Sequence, residues 1–287
     1  MLISSNMAKK LAQAVEVMPA FPESVRKVLS MTQDINCTPK ELVQVIDKDP
    51  VITVKILRVV NSAYYSVPTK MTSLHHAVVY LGFNTVKNLA LAIAAVGVLP
   101  RRNQAGFDVQ QYLLHSLATA GIAKHLAGRC LEVDPVDCFI AGLLHDFGKI
   151  VLALFKPEEF RMAVEISQEY GDSLHVALRK VIGVDHATVG AMLVEKWCFP
   201  SNLVETIRHQ YGPEILDTGS IACVFAANQI TKRLHIGNAG NACVEELPEV
   251  LARRVGGTLD RVQLSLGDLD LMLKDVQLVA SLSHLMD

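Results

Sequence analysis

The sequence predicts an all-α fold. Helix-capping signals recur from end to end, apolar residues repeat at helical spacing, and period-two alternation never runs long enough to support a sheet. Thr38-Pro39-Lys40-Glu41 combines an N-cap, a proline at the first helical position and a reciprocal glutamate, so a helix begins there. Asp49-Pro50 and Asp134-Pro135 repeat the aspartate cap with proline, and Ser73, Asn84, Asp108 and Ser173 each precede an apolar segment. Gly82, Gly128, Gly171 and Gly183 read as stops. Roughly a dozen short helices follow. The polar stretch from Pro100 to Gly106 separates two apolar runs and marks two lobes, and a second loosening runs from Gly237 to Asn241. The expected organisation is an N-terminal helical lobe over 1–105, a second helical lobe over 106–236, and a C-terminal extension over 237–287 packed on the second lobe. In the extension, Leu264, Leu266, Leu269, Leu271, Met272, Leu278 and Leu282 suggest amphipathic helix.

A chain of 287 residues has enough apolar sequence to bury a substantial core. Its formal net charge of -2 supplies no field that would draw it onto a polyanion. Arg101-Arg102, Arg253-Arg254 and the short helices after Ser73 and Asn84 are weak nucleic-acid signals, because Lys87 is nearly alone among core-like neighbours. No nucleic-acid partner is expected. Cys37, Cys130, Cys138, Cys198, Cys223 and Cys243 form no C-x-x-C pair and no charged-then-apolar leader opens the chain, so reduced thiols in the cytoplasm are the expectation. The apolar run Leu89 to Pro100 falls well short of the roughly 20 residues of a membrane helix, and the one around Leu143 is interrupted by His145, Asp146 and Lys149. No membrane association is expected.

From Val136 onward, Phe139, Ile140, Leu143, Leu144, Phe147, Ile150, Val151 and Leu154 fall on a single helical stripe. The opposite face carries Ala141, Gly142, His145 and Gly148, too small and apolar for a solvated surface, so another helix is expected to press against it. His145 and Asp146 together offer an imidazole nitrogen and a carboxylate oxygen, a mixed set suited to a first-row divalent ion. His115, in a helix of small residues, is a third ligand candidate. His186 shares a face with Val189, Gly190, Leu193 and Trp197 and points inward, whereas His209 lies off the Leu203/Ile207 stripe. Asn228 shares a face with Ile221, Val224 and Phe225 and must be a buried amide. A single inward histidine is more often a hydrogen-bonded core residue than a ligand; several together shift that balance. His75-His76 point about 100° apart and are ordinary, and His125, His175, His235 and His284 have no constellation around them.

These residues lie in an ordered series that resembles the HDOD family, a branch of the HD superfamily found in bacterial signalling and output domains. The series comprises Met18-Pro19-Ala20-Phe21-Pro22, Val45 to Pro50, Ile56 to Tyr65 and Ala77 to Gly82, then His115-Ser116, Ala141 to Lys149, His186 to Gly190, and Trp197-Cys198-Phe199-Pro200 leading to His209. It covers about residues 15 to 235. The resemblance implies a multi-helical HD-domain-like bundle with an additional N-terminal helical lobe. Catalytic HD hydrolases use a first histidine, the His-Asp pair and a later aspartate to hold an ion that activates water. His115, His145 and Asp146 match, and Asn228 stands at the later aspartate's position. The similarity to two-metal HD-GYP relatives implicates His186 and His209 in a second site, with Gln210 replacing one member of a His-His pair; Tyr211-Gly212-Pro213 reads as a loop.

The candidate metal ligands are therefore His115, His145, Asp146, Asn228, His186 and His209, in a weakened site. Replacing a carboxylate by an amide removes an attraction of about 4 kcal/mol gross for unit charges at 4 Å and an effective dielectric near 20. No cofactor is expected; Mn, Mg, Fe or Zn is the candidate ion should the site be retained. The expected function is a signal-transduction module acting through a signalling protein partner or a nucleotide ligand, without catalysis. The alternative is a metal-dependent phosphohydrolase on a nucleotide or cyclic dinucleotide, with Lys149 stabilising phosphate charge. A cleft lined by Asn61-Ser62-Ala63-Tyr64-Tyr65 and the His-Asp region is the expected docking place, set against the plainer reading in which the tyrosines seal a helix end and Asn61 is a cap.

Overall fold

The computed structural model describes residues 5–31, 38–61, 67, 69–100, 102–130, 132–211, 215–267 and 269. Among these, all regular structure is helical: α1 (Ser5–Glu16), α2 (Glu23–Met31), α3 (Pro39–Ile46), α4 (Pro50–Val60), α5 (Leu74–Leu81), α6 (Phe83–Gly97), α7 (Val109–Ala127), α8 (Pro135–Leu144), α9 (Phe147–Phe155), α10 (Pro157–Tyr170), α11 (Leu174–Val181), α12 (His186–Lys196), α13 (Ser201–Arg208), α14 (Gly219–Arg233), α15 (Glu249–Val255) and α16 (Leu259–Leu266).

Most of the expected caps form, although Ser173 stands at the N-cap of α11 without a side-chain bond. Thr38 accepts from the Glu41 backbone N–H while the Glu41 carboxylate accepts from the Thr38 N–H, closing the box at α3. Asp49 caps α4 through the Ile52 N–H and takes a second bond from the Ser24 hydroxyl. Asn61 does cap α4: its amide donates to the Leu57 and Met71 carbonyls and its oxygen accepts from the Met71 N–H. Asn84 is not a cap. Gly82, at φ +87°, ends α5 and starts α6 two residues before that position, and Asn84 lies in the first turn of α6.

The described residues divide into two compact units. Pro19–Val98 forms one, with α6 packed by α2, α3, α4 and α5. Enclosure explains why α6 lacks a polar face: it is buried from Val86 through Val96.

The other unit joins α1 to the chain from Leu99 to Leu269. The first helix of the lobe expected over 1–105 thus belongs elsewhere. Its buried Leu11, Ala14 and Val15 pack in this unit, where α1 contacts α12 and α9. Lys196, at the end of α12, holds its C-terminus by donating to the carbonyls of Val15 at 3.0 Å, Glu16 at 2.5 Å and Met18 at 3.3 Å. Within this unit α7 lies against α8 and α14, and α12 against α9 and α13. α15 and α16 pack on α14, with Leu251 buried beside Phe225, Ile221 and Tyr211. Leu264 departs from the expected stripe and is 83% exposed. Leu271, Met272, Leu278 and Leu282 lie outside the described residues, as do Ser62, Ala63, Tyr64 and Tyr65.

The stripe from Val136 is two helices rather than one. α8 ends at Leu144, His145 and Asp146 form a turn, and α9 starts at Phe147. Pro135–Phe155 is nevertheless the one stretch among the described residues long and apolar enough to cross a bilayer, and 83% of its apolar window is buried inside the protein. The small residues are there for close helix approach, as expected. A β-carbon on Gly142 would meet the Ala120 backbone of α7 at 2.8 Å, and one on Gly148 would meet the His186 carbonyl oxygen of α12 at 1.9 Å.

Gly148→Ala must push α9 away from α12. It is expected to lower stability in urea unfolding by about 1–3 kcal/mol or more. A loss below about 0.5 kcal/mol would contradict this packing.

Candidate metal centre

The centre is built from four elements: α7 brings His115, the turn between α8 and α9 brings His145 and Asp146, α12 brings His186 at its first position, and α14 brings Asn228. All five side chains are buried, Asp146 and His145 completely. The His-Asp pair therefore has no surface of its own to offer a docking cleft.

His145 Nδ1 donates to the Gly142 carbonyl at 2.7 Å, because that oxygen can only accept. This turns Nε2 toward the centre, 3.2 Å from Asp146 Oδ2 and without a hydrogen bond. The carboxylate has no exposed surface, and its other oxygen lies 3.0 Å from His186 Nε2. Burial alone would raise the Asp146 carboxyl, but His145, Lys149 and His186 together outweigh it and hold the group well below the usual carboxylate range. It is an anion. Burial pushes His115 well below the usual imidazole range and His186 down to about 4, so both rings are neutral near pH 7.

The cation opposite Asp146 is Lys149, one turn further along α9. Its Nζ lies 2.6 Å from Asp146 Oδ2 and 2.8 Å from the Ala239 carbonyl oxygen, and the side chain is 1% exposed. Lys149 is thus directed into the protein rather than toward an incoming phosphate.

Asn228 is held from both sides. Its Nδ2 donates to the Tyr211 hydroxyl at 2.6 Å, which fixes its oxygen toward His115 Nε2 at 3.0 Å. A carbonyl oxygen only accepts, so His115 Nε2 carries the proton. In this arrangement the nitrogen facing the centre has no lone pair to give.

One donor atom each from His115, His145 and Asp146 lies within 4.8 Å of the others. These three residues could hold a metal ion, and the mixed nitrogen–oxygen set fits a first-row divalent ion in kind and spacing. In charge the set is unfavourable: it has one carboxylate, already bound to an ammonium. His186 approaches Asp146 from the far oxygen, outside that trio. His209 is the half-buried C-cap of α13 and is not part of it. Gln210, where a second histidine would be expected, is a structural amide donating to the carbonyls of His145 and Ile207.

Two residues passed over in the sequence belong to this region. Tyr211, expected in a loop, is 4% exposed and bonds Asn228. His175 stacks on it, with ring centroids 4.6 Å apart and planes 14° apart, and approaches Glu245 at 3.8 Å. The segment after α14 is also part of the site. Asn238 N–H donates to the Gln111 carbonyl, Lys149 to Ala239, buried Lys232 to the Cys243 carbonyl, and Glu245 N–H to Gln229. What reads in sequence as a loosening at Gly237–Asn241 is a strap fixed along α7, α9 and α14. Its signal was the absence of apolar periodicity, which does not distinguish a free linker from a pinned one.

The HDOD domain pattern matches residues 18–213. An HDOD domain protein of unknown function from Geobacter sulfurreducens is 25% identical, with a TM-score of 0.74 over 97% of this chain and 94% of that one. A structure from Marinobacter aquaeolei VT8, described as a candidate signal transduction protein, is 23% identical with a TM-score of 0.73 over 98% and 66%. A candidate phosphohydrolase from Shewanella amazonensis SB2B is 22% identical with a TM-score of 0.71 over 94% and 98%. The last two likenesses show the fold. An uncharacterised protein of Treponema pallidum (strain Nichols) is 25% identical over 210 residues, and the match spans 72% of this chain but 40% of that relative.

Lys149→Met leaves the Asp146 charge buried without its partner. The expected loss is about 3–5 kcal/mol in urea unfolding, with part of it recovered on adding Zn²⁺ or Mn²⁺ to the variant. A loss below about 1 kcal/mol would mean that Lys149 is not the counter-ion.

Proposed function

We propose, because the chain belongs to the HDOD family, that it is a signal-transduction module that has kept the HD scaffold and acts through contact with a partner protein or a nucleotide-like ligand, without turning over a phosphoester. The observation that carries this reading is the Lys149 ammonium, 2.6 Å from the carboxylate oxygen that an ion would use and anchored to the Ala239 carbonyl. A divalent ion would have to displace that ammonium, shift the His115 proton from Nε2 and bind with the net help of one anion. Asn228 adds to the case, since an amide cannot supply the second charge a water-activating ion would draw on. What remains is a rigid, internally bonded core suited to holding helices in fixed relation. Contact surfaces, rather than reacting groups, are then the means of action.

The convergence of His115, His145 and Asp146, with His145 Nε2 lacking a partner, favours the second reading, a metal-dependent phosphohydrolase on a nucleotide or cyclic dinucleotide. A bound divalent ion would lower the pKa of water and polarise a phosphoryl oxygen. Under that reading Lys149 must leave Asp146 before it can face a phosphate.

Protein purified without chelator and assayed with Mn²⁺ or Mg²⁺ is expected to contain far less than one metal per chain and to hydrolyse no phosphodiester. Stoichiometric metal with turnover lost in His145→Ala would overturn the proposal. Asn228→Asp restores a second anion. It is expected to tighten Mn²⁺ binding at least tenfold in calorimetry and to make the melting temperature metal-dependent. Unchanged affinity would show that charge is not what limits the site.

A further inference from the structure

Three of the six cysteines, scattered in sequence, meet in space. Cys130 and Cys223 are 93 positions apart, yet their sulfurs lie 3.9 Å from each other, in van der Waals contact. Cys130 follows the Gly128 cap of α7 and is half-buried, with its thiol directed to the Arg254 carbonyl at 3.5 Å. Cys223, on α14, and Cys138, on α8, are fully buried. Cys138 lies beside the same Cys223 thiol, so α8, α14 and the segment just after α7 each bring a sulfur to one place.

We propose that Cys130 and Cys223 are a peroxide-sensitive thiol pair that closes to a disulfide between the end of α7 and α14. The division of labour follows from exposure. Cys130 is the sulfur an oxidant can reach, and Cys223 is the buried partner already in contact with it. The Cys130 thiolate attacks hydrogen peroxide; the S–O bond forms as the O–O bond breaks, and the released hydroxide takes a proton and leaves as water. The Cys223 sulfur then attacks the sulfenic sulfur. The S–S bond forms as the S–O bond breaks, and the departing hydroxide takes the Cys223 proton as the second water. Two thiols lose two electrons and the peroxide gains them. The bond with Cys138, burial and the neighbouring sulfurs raise the Cys223 thiol far above its ordinary range, so it stays protonated until its proton passes to the departing hydroxide, and Cys130 is the sulfur that meets peroxide first. The link would tie together the helices that carry His115 and Asn228, which gives oxidation a route to the buried centre independent of any metal.

The test uses the whole chain, treated with a small molar excess of hydrogen peroxide, alkylated, digested without reductant and read by mass spectrometry. The expected product is one peptide pair joined through Cys130 and Cys223, two hydrogens lighter than the separate thiols. It should be released by dithiothreitol, absent from Cys130→Ser and Cys223→Ser, and retained in Cys138→Ser. Cys130→Ser changes a half-exposed position and keeps the test valid even where Cys223→Ser fails to fold. The proposal is overturned by a Cys130–Cys138 link, by a link between chains, by Cys130 oxidised to sulfinic acid with Cys223 still a thiol, or by both thiols remaining free to alkylate.

Discussion

A carboxylate with no exposed surface must have its charge matched where it lies, and in this protein the match is a lysine in the first turn of the helix that follows it. The Asp146–Lys149 pair sets much of what surrounds it. Lys149 has three protons to place; one goes to Asp146 and another to the Ala239 carbonyl, which draws the segment after α14 down over the centre. The turn at His145–Asp146 aims the carboxylate inward, and the glycine two residues later lets α12 come close enough for His186 to reach the other oxygen. Each feature makes sense once the buried anion is taken as the fixed point.

The same pair explains why an amide is compatible with position 228. With Lys149 in place the one buried carboxylate faces an ammonium, and the rings of His115 and His186 are neutral near pH 7. A second carboxylate beside His115 would be an unmatched buried charge, which is costly unless a cation enters with it. Asn228 instead relays a hydrogen bond from His115 to Tyr211. The donor atoms of His115, His145 and Asp146 lie within 4.8 Å of one another, and the carboxylate among them is paired with Lys149.

Much of this was legible in the sequence, and what was missed has physical reasons. Caps such as Thr38, Asp49 and Asp134 are local chemistry and announce themselves. The packed faces of α8 and α9 were visible because small residues stood where a solvated helix would show lysine and glutamate. The break at His145–Asp146 was hidden because the apolar stripe runs through it with scarcely a change of phase. Tyr211 and His175 were passed over because their partnership crosses distant segments and no spacing rule relates them. Lys149 was legible as part of the site but not in its orientation, since a lysine beside an acidic residue can face inward or toward a ligand. That choice depended on a carbonyl 90 residues away.

The most direct test is a double-mutant cycle on Asp146→Asn and Lys149→Met, read by urea unfolding in the presence of chelator. If the two groups are each other's counter-charge, the double variant should be more stable than the sum of the single losses allows, by about 2–3 kcal/mol. Losses that simply add, within about 0.5 kcal/mol, would mean that the buried carboxylate is balanced by something other than this lysine.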